Sequence, residues 1–452
     1  MVEEEKELTE GQEEQSPVGF LDEKPKNVFH YKNYTLAFLG ALVSNLGNVL
    51  YSFAVSFYIL ALTGNNAFIQ GLYLATGGIV YVAVTLFGGV VSDRFHKGKI
   101  MFICDYAKGI MLIGFTLLLM LVIKDANAKV AILFVIAVIS NFIAAIFSPA
   151  ASSLLPHIVP EKSFQQGQSY YTLMESSLGI LGVILAAVLY SALDIHVLFF
   201  IVGGCYVLSG VSEMFIKYNH QKKEDKLTVK AVFSDIGGGI KYIFSIKPLL
   251  FLLLCMLFIN FFFTPLSSNF IPYFVATDVA SSPNYLLKDI LTPESWSSVF
   301  SVAIAIGMII TSIILSAKKT KETIIKGLRI SFLIFDGLLA IMTIIYVLFA
   351  KGVYDVNVVL IVFTIVCLCI GLTIVTINIP TSTRVMTIVD KDKLGKVSSV
   401  VSVGSQGLVP LANFIAGLII SGLGASWLLV FSTSGFVLIT IMLMVNKHVA
   451  KL

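Results

Sequence analysis

Gly89-Val-Val-Ser-Asp93-Arg94-Phe95-His96-Lys97-Gly98-Lys99 sets four charged side chains within eleven positions. Apolar runs flank it on both sides, near 67–91 and 99–123. Each exceeds the ~20 residues that cross a hydrocarbon core. A short charged loop between two such runs is a turn at a membrane surface, so the runs are neighbouring antiparallel spans. Moving outward, further runs of spanning length lie near 34–62, 128–154, 164–190 and 195–217. After a polar stretch, 218–246, six more follow near 247–275, 295–317, 328–350, 356–382, 394–423 and 427–446. The expectation is an all-α integral membrane chain of twelve helices, in two pseudo-symmetric six-helix bundles.

Composition agrees. Hydrophobic residues make up 57% of the 452 residues and charged residues 13%, where a soluble domain carries roughly 25% charged. The basic residues lie between apolar runs, so the net charge of +4 does not point to nucleic acid. Five scattered cysteines inside apolar runs give neither a disulfide framework nor a metal site.

Lysine and arginine fix the orientation. With the amino terminus inside, inner tails and loops hold 26 of the 31 basic residues, and both termini are cytoplasmic. Residues 1–33 read as a disordered acidic cytoplasmic tail; the first 28 carry nine acidic and three basic residues and lack the basic start and apolar core of a secretory signal. Residues 34–217 are the N-terminal bundle and 247–447 the C-terminal bundle. Between them, 218–246 is a cytoplasmic linker whose apolar positions Val232, Ile236, Ile240 and Ile243 recur at helical spacing, as in an amphipathic surface helix.

The bundles resemble each other at an offset near 230. Lys99 through Asp105 compares with Arg329 through Asp336 at the start of each third helix, and Pro149 through Phe164 with Pro380 through Leu394. Two matches at nearly one offset point to a duplicated six-helix unit.

The loop Gly89-x-x-x-Asp93-Arg94-x-x-Lys97 resembles the Gly-x-x-x-Asp-Arg-x-x-Arg/Lys motif of the major facilitator superfamily, at its expected place between the second and third helices. His96 stands where Gly is common, and the matching loop of the second half has lost the Asp-Arg pair. The resemblance implies the major facilitator fold, secondary transport by alternating access, and a cytoplasmic latch of Gly89, Asp93, Arg94, Lys97 and Asp105. Asp235 through Ile243, Asn260 through Pro265 with Ile271 through Val275, and Phe147 through Pro160 are similar to bacterial macrolide-efflux and siderophore-exporter members. That implies a bacterial plasma membrane; the few membrane charges and the 34 phenylalanines suit a small amphipathic organic substrate, and protons and lipid as further partners and a monomer are expected.

Ionisable side chains inside a bilayer cost about 2.5–3.5 kcal/mol on insertion scales and are functional candidates. Glu175, in the middle of the fifth helix, is the first candidate for proton coupling, and Asp336 the second. Asp105 has Lys108 three residues on and reads as a structural ion pair; Glu213, near the inner end of the sixth helix, reads as interfacial. Asn45, Asn48, Asn141, Asn260, Asn378 and Gln406 are candidates for a substrate cavity, with Gln70, Asn269 and Asn413 as further buried amides; each serves equally well as glue between helices. No phosphate-binding loop, cofactor motif or Ser/His/Asp set appears, so no enzyme is expected. The leading expectation is proton-coupled efflux of drug-like or macrolide-like compounds. A lipid or lysophospholipid flippase on the same fold is the alternative, and a non-transporting membrane sensor the alternative of another class.

Overall fold

The computed structural model describes residues 27–217, 241, 243–316, 325–388 and 406–445. The first half comprises α1 (Lys32–Leu62), α2 (Ala67–Arg94), α3 (Lys97–Leu121), α4 (Ala126–Ser152), α5 (161–192) and α6 (Ile195–Met214). The second comprises α7 (247–279), α8 (Ser295–Ser316), α9 (Ile325–Ala350), α10 (Val356–Ile388), α11 (Val409–Leu423) and α12 (Ala425–Val445). Eleven of these are long and apolar enough to span a membrane, and α11 is a shorter apolar helix. Among the described residues there is no strand. Large apolar side chains such as Leu121, Leu181, Leu208, Ile313 and Leu438 stand at least 60% exposed. Water would disfavour that surface and hydrocarbon would not.

Local chemistry starts and stops the helices. Asn66 accepts hydrogen bonds from the Phe68 and Ile69 backbone N–H at the head of α2. Asp125 does the same for Ala128 at the head of α4, and Asp194 for His196 at the head of α6. Each satisfies a donor that the first turn leaves open. Two helices change pitch. α5 widens into a π-turn at Leu178–Gly182, and α7 into two, at Leu266–Phe270 and Val275–Val279.

Each half has its own core. In the first, Tyr51, Tyr58, Phe199 and Tyr206 pack with Leu50, Leu112 and Leu133. In the second, Phe270, Phe274, Tyr346 and Phe363 form an aromatic cluster. The duplication is visible in the contacts. A Cβ on Gly77 would press on Asn141, where α2 meets α4, and one on Gly307 would press on Gly371, where α8 meets α10. Both members of these pairs are 230 positions apart.

The first-half bundle begins before residue 34. Val28 is fully buried, and its N–H donates to Gln166 Oε1 at 3.3 Å. Residues 27–33 therefore belong to the bundle and not to the tail. The other boundary expectations for the tail, the linker helix and the start of the eleventh run lie outside the described residues.

The halves meet at the end that carries the α1–α2 turn. Phe68 N–H donates to Ser421 Oγ at 2.8 Å and Asn65 Nδ2 to the Ala276 carbonyl at 3.3 Å. Ser298 Oγ on α8 donates to the Val183 carbonyl on α5 at 3.0 Å. A Cβ on Gly71 would sit 2.5 Å from the Asn413 carbonyl, and one on Gly78 2.7 Å from Pro410 Cγ, so glycine permits α2 and α11 to touch. Gly89 lies on the same face of α2, three turns past Gly78, and there a Cβ would meet nothing within 4 Å. Among the described residues the contacts between the halves lie towards this end, and the cleft between them carries none at Gly89 on the α2–α3 turn side.

Candidate functional site

Three structures surround the cleft: its wall, the closed end above it, and a polar cluster behind the wall. The wall is clearest on α5. Gly167, Tyr171, Met174 and Leu178 pack on α1. Leu173, Leu181, Leu185 and Val188 form an exposed apolar face. Gln168, Thr172, Glu175 and Gly179 form a second exposed face at helical spacing. A polar row belongs against water rather than hydrocarbon, and this row leads up to the segment that meets α8 at Ser298. Glu175 is thus in place on the cleft wall, but as an exposed carboxylate. The expected burial of Glu175 does not hold.

On α1, Asn45 is half-buried and its amide donates to the Ala41 carbonyl at 2.8 Å. Asn48 is exposed, yet its Oδ1 is engaged from behind. Asn378 and Gln406 are also exposed. Asn141 and Asn260 each donate to the carbonyl four residues earlier, and Asn141 packs on Gly77. Asn141 is half-buried, where α4 packs on α2.

The closed end holds a network of amides. Ser268 Oγ and Asn269 Nδ2 donate to Asn413 Oδ1 at 2.7 and 2.8 Å, joining α7 to α11. Gln70 Nε2 reaches the Ser268 carbonyl from α2 at 3.4 Å. Gln70 thus ties the first half to this network, and the Asn413 backbone meets Gly71, so the network lies against the seal between the halves.

Behind Asn48 lies a buried cluster of Asp105, Lys108 and Glu213. Lys108 Nζ donates to Asn48 Oδ1 at 3.0 Å and lies 4.2 Å above the Tyr206 ring; Tyr206 OH donates to the same Oδ1. The Lys108 hydrogen bond goes to Asn48 and not to Asp105, whose carboxyl faces Ser44 and Ser209. Glu213 is not interfacial. It is 1% exposed, against Gly40 and facing Asp105. The missed signal is a set of three stripes that match: Gly40, Ser44 and Gly47 on α1, Asp105 and Lys108 on α3, and Ser209 and Glu213 on α6.

In the second half, Asp336 is half-buried facing Thr440 of α12, away from the cleft. Asp278, which the sequence reading left outside the seventh helix, ends α7 and accepts a 2.8 Å hydrogen bond from Tyr346 OH. No group of three or more His, Cys, Asp or Glu suited to a metal ion occurs among the described residues.

The sequence profile of the Major Facilitator Superfamily matches residues 37–412. The chain belongs to this superfamily. It is a multi-pass membrane transporter and not an enzyme. An uncharacterized superfamily transporter of Bacillus subtilis, YkuC, is 25% identical over 320 residues, covering 67% of this chain and 69% of YkuC. A mutant of the nucleoside transporter NupG shares the fold with a TM-score of 0.69 at 13% identity, over 91% of this chain and 99% of that one. A bacterial homologue of the iron transporter ferroportin, solved in an inward-facing state, gives 0.68 at 15% identity over 91% and 98%. These structures share the fold alone.

The superfamily motif lies at the end of α2 and in the turn to α3. Lys97 is buried and its Nζ donates to the Ser92 carbonyl at 3.3 Å, closing the turn. The side chains of Asp93 and Arg94 lie outside the described residues. Gly88, not Gly89, provides the close approach: a Cβ there would lie 2.2 Å from the Ala145 carbonyl on α4. Asp105 is separated from this turn by two turns of α3 and joins the buried cluster instead.

Proposed function

We propose that the chain exports amphipathic, positively charged organic compounds from a bacterial cell by alternating access, in exchange for protons. The observation that carries this reading is the exposed row Gln168, Thr172, Glu175 and Gly179 on α5. It offers one carboxylate among neutral polar groups, beside aromatic side chains such as Tyr171 and Phe38. A cationic amphiphile meets both the charge and the rings there. With both termini cytoplasmic, the cleft opens inward, the state in which an exporter loads. Closing it would bring the inner ends of α2 and α11 together and open the Gln70, Ser268, Asn269 and Asn413 seal.

Glu175 then exchanges ligands: a cationic substrate on one side of the membrane, a proton on the other. Inverted vesicles with an imposed proton gradient test this with macrolides, cationic dyes, siderophores and lysolipids added singly and a pH dye as readout. Proton release by a cationic drug, lost in Glu175→Gln, is the expected result. Drug movement that is equal in wild type and Glu175→Gln would sink the assignment. If only lysolipids move, without protons, the flippase reading replaces it.

A further inference from the structure

The cluster behind Asn48 has a charge imbalance. Lys108 Nζ donates to Asn48 Oδ1 at 3.0 Å and has the Tyr206 ring face 4.2 Å away, a setting that suits an ammonium. Asp105 and Glu213 are 4% and 1% exposed. One ammonium and two carboxyls leave one negative charge in excess when both acids are ionised. The oxygens are also short of donors. Glu213 Oε1 and Oε2 and Asp105 Oδ2 are buried without a hydrogen-bond partner, an arrangement that disfavours a second ionised carboxylate.

Among the described residues no other side chain supplies the missing charge. The titratable groups that face the pair are Cys104 and Lys108 from α3, Tyr206 from α6 and Tyr171 from α5. From α1 come Ser44, Asn48 and the Gly40 backbone, all uncharged; Ser44 and Ser209 donate to the Ala41 and Gly40 carbonyls. The space is small: a Cβ on Gly40 would lie 3.0 Å from Glu213 Cγ and 3.3 Å from its Oε1. α1 thus closes directly over the Glu213 carboxyl.

We propose that Asp105, Lys108 and Glu213 form a binding site for one proton, inside the first half and separate from the cleft, linked to the cleft wall through Asn48. In uptake, an O–H bond forms on one carboxylate oxygen, a hydronium O–H bond breaks and water leaves. The site then holds one ammonium, one carboxylate and one carboxylic acid, and is neutral. Its occupancy sets the field on Lys108, and so the grip of Lys108 on Asn48. The proposal does not depend on the substrate, the direction of transport or Glu175.

Infrared difference spectra of the purified full chain in detergent at neutral pH, in light and heavy water, test it. Wild type minus Glu213→Gln is expected to show the carbonyl band of one protonated carboxylic acid, with the deuterium shift of an exchangeable proton. Asp105→Asn should give the same loss, since either change removes the excess charge, and it serves if Glu213→Gln does not fold. Lys108→Met should raise the intensity twofold, and Glu175→Gln should leave it unchanged. A difference spectrum that shows only ionised carboxylate overturns the proposal. So does binding of radioactive sodium that Glu213→Gln abolishes. Loss of the band in Glu175→Gln would also overturn it, by placing the proton in the cleft.

Discussion

Where α3 packs on α6, the first half sets Asp105, Lys108, Ser209 and Glu213. Where α9 packs on α12, the second half sets Asp336, Leu339, Thr440 and Met444, each 231 positions further on. In both halves the aspartate faces a hydroxyl, Ser209 in one and Thr440 in the other. The second half keeps that contact and replaces the lysine and the glutamate with apolar side chains. The shared part is therefore architectural, a polar tie between α3 and α6 in one half and α9 and α12 in the other. What only the first half retains is the lysine and the glutamate. A buried ion cluster is weak evidence for stability, because desolvation offsets the attraction. Its presence in one of two equivalent places points to use rather than to folding.

The largest test of that contrast removes the cation. Lys108→Met leaves two buried acids without a counter-charge and should cost about 3–5 kcal/mol. Leu339→Met, its counterpart, conserves volume and should cost under about 1.5 kcal/mol. Thermal melts in detergent would show the difference, and adding Glu213→Gln to Lys108→Met should recover part of the loss. Equal melting of Lys108→Met and Leu339→Met would erase the distinction between the halves.

A second contrast is tighter packing in the second half. A Cβ on Gly371 would lie 2.0 Å from the Ile304 carbonyl, whereas one on Gly77 would meet only the Asn141 side chain, at 2.5 Å. Gly371→Ala should cost about 1–3 kcal/mol, since backbone must move. Gly77→Ala should cost less, because an amide can rotate away; the same melts rank them, and a reversed order would show that Asn141 is rigidly held.

The seal between the halves gives a smaller effect. Asn413→Leu removes the acceptor for Ser268 and Asn269 at about 1 kcal/mol per net hydrogen bond. Labelling of a Ser421→Cys variant from the α1–α2 turn side should then speed up. An unchanged labelling rate would mean that the amides do not hold this end shut.

The smallest effect concerns the turns before α6 and α12. Asp194 caps α6, while 230 positions on the chain has Gly424 at φ +97°. The His196 backbone N–H, and then its ring, hold the exposed Asp194 carboxyl below the usual carboxylate range. A depressed folded-state value stabilises the protein above the unfolded value and is lost as pH falls through the folded one. Wild type should lose about 1 kcal/mol or less below about pH 4, and Asp194→Ala should lack that component. An acid melt unchanged by Asp194→Ala would show that the cap contributes nothing.

The twelve spans, the duplication and the superfamily were legible in the sequence because run length and spacing are local properties. The helix order 32–62 through 425–445 follows from them almost directly. The position of Glu213 was not legible. One residue from the end of α6, it reads as interfacial until Gly40 lets α1 close over it. Asn141 and Asn48 have the same composition and opposite uses, one against Gly77 and the other between Lys108 and the cleft. Glu175 was placed correctly along its helix, but its exposure depends on how far the halves part. Those are properties of packing partners, which no single helix encodes.

The empty space beside Gly89 has a consequence for measurement. A leucine there would fit the conformation described, since a Cβ meets nothing within 4 Å. It would act as a wedge in any conformation that brings α2 against α11 at that end. Every ~1.4 kcal/mol of collision would shift the ratio of the two populations tenfold. Gly89→Leu is thus a one-atom-shell doorstop, which would hold a population of molecules in a single state for anyone who needs to catch the substrate inside.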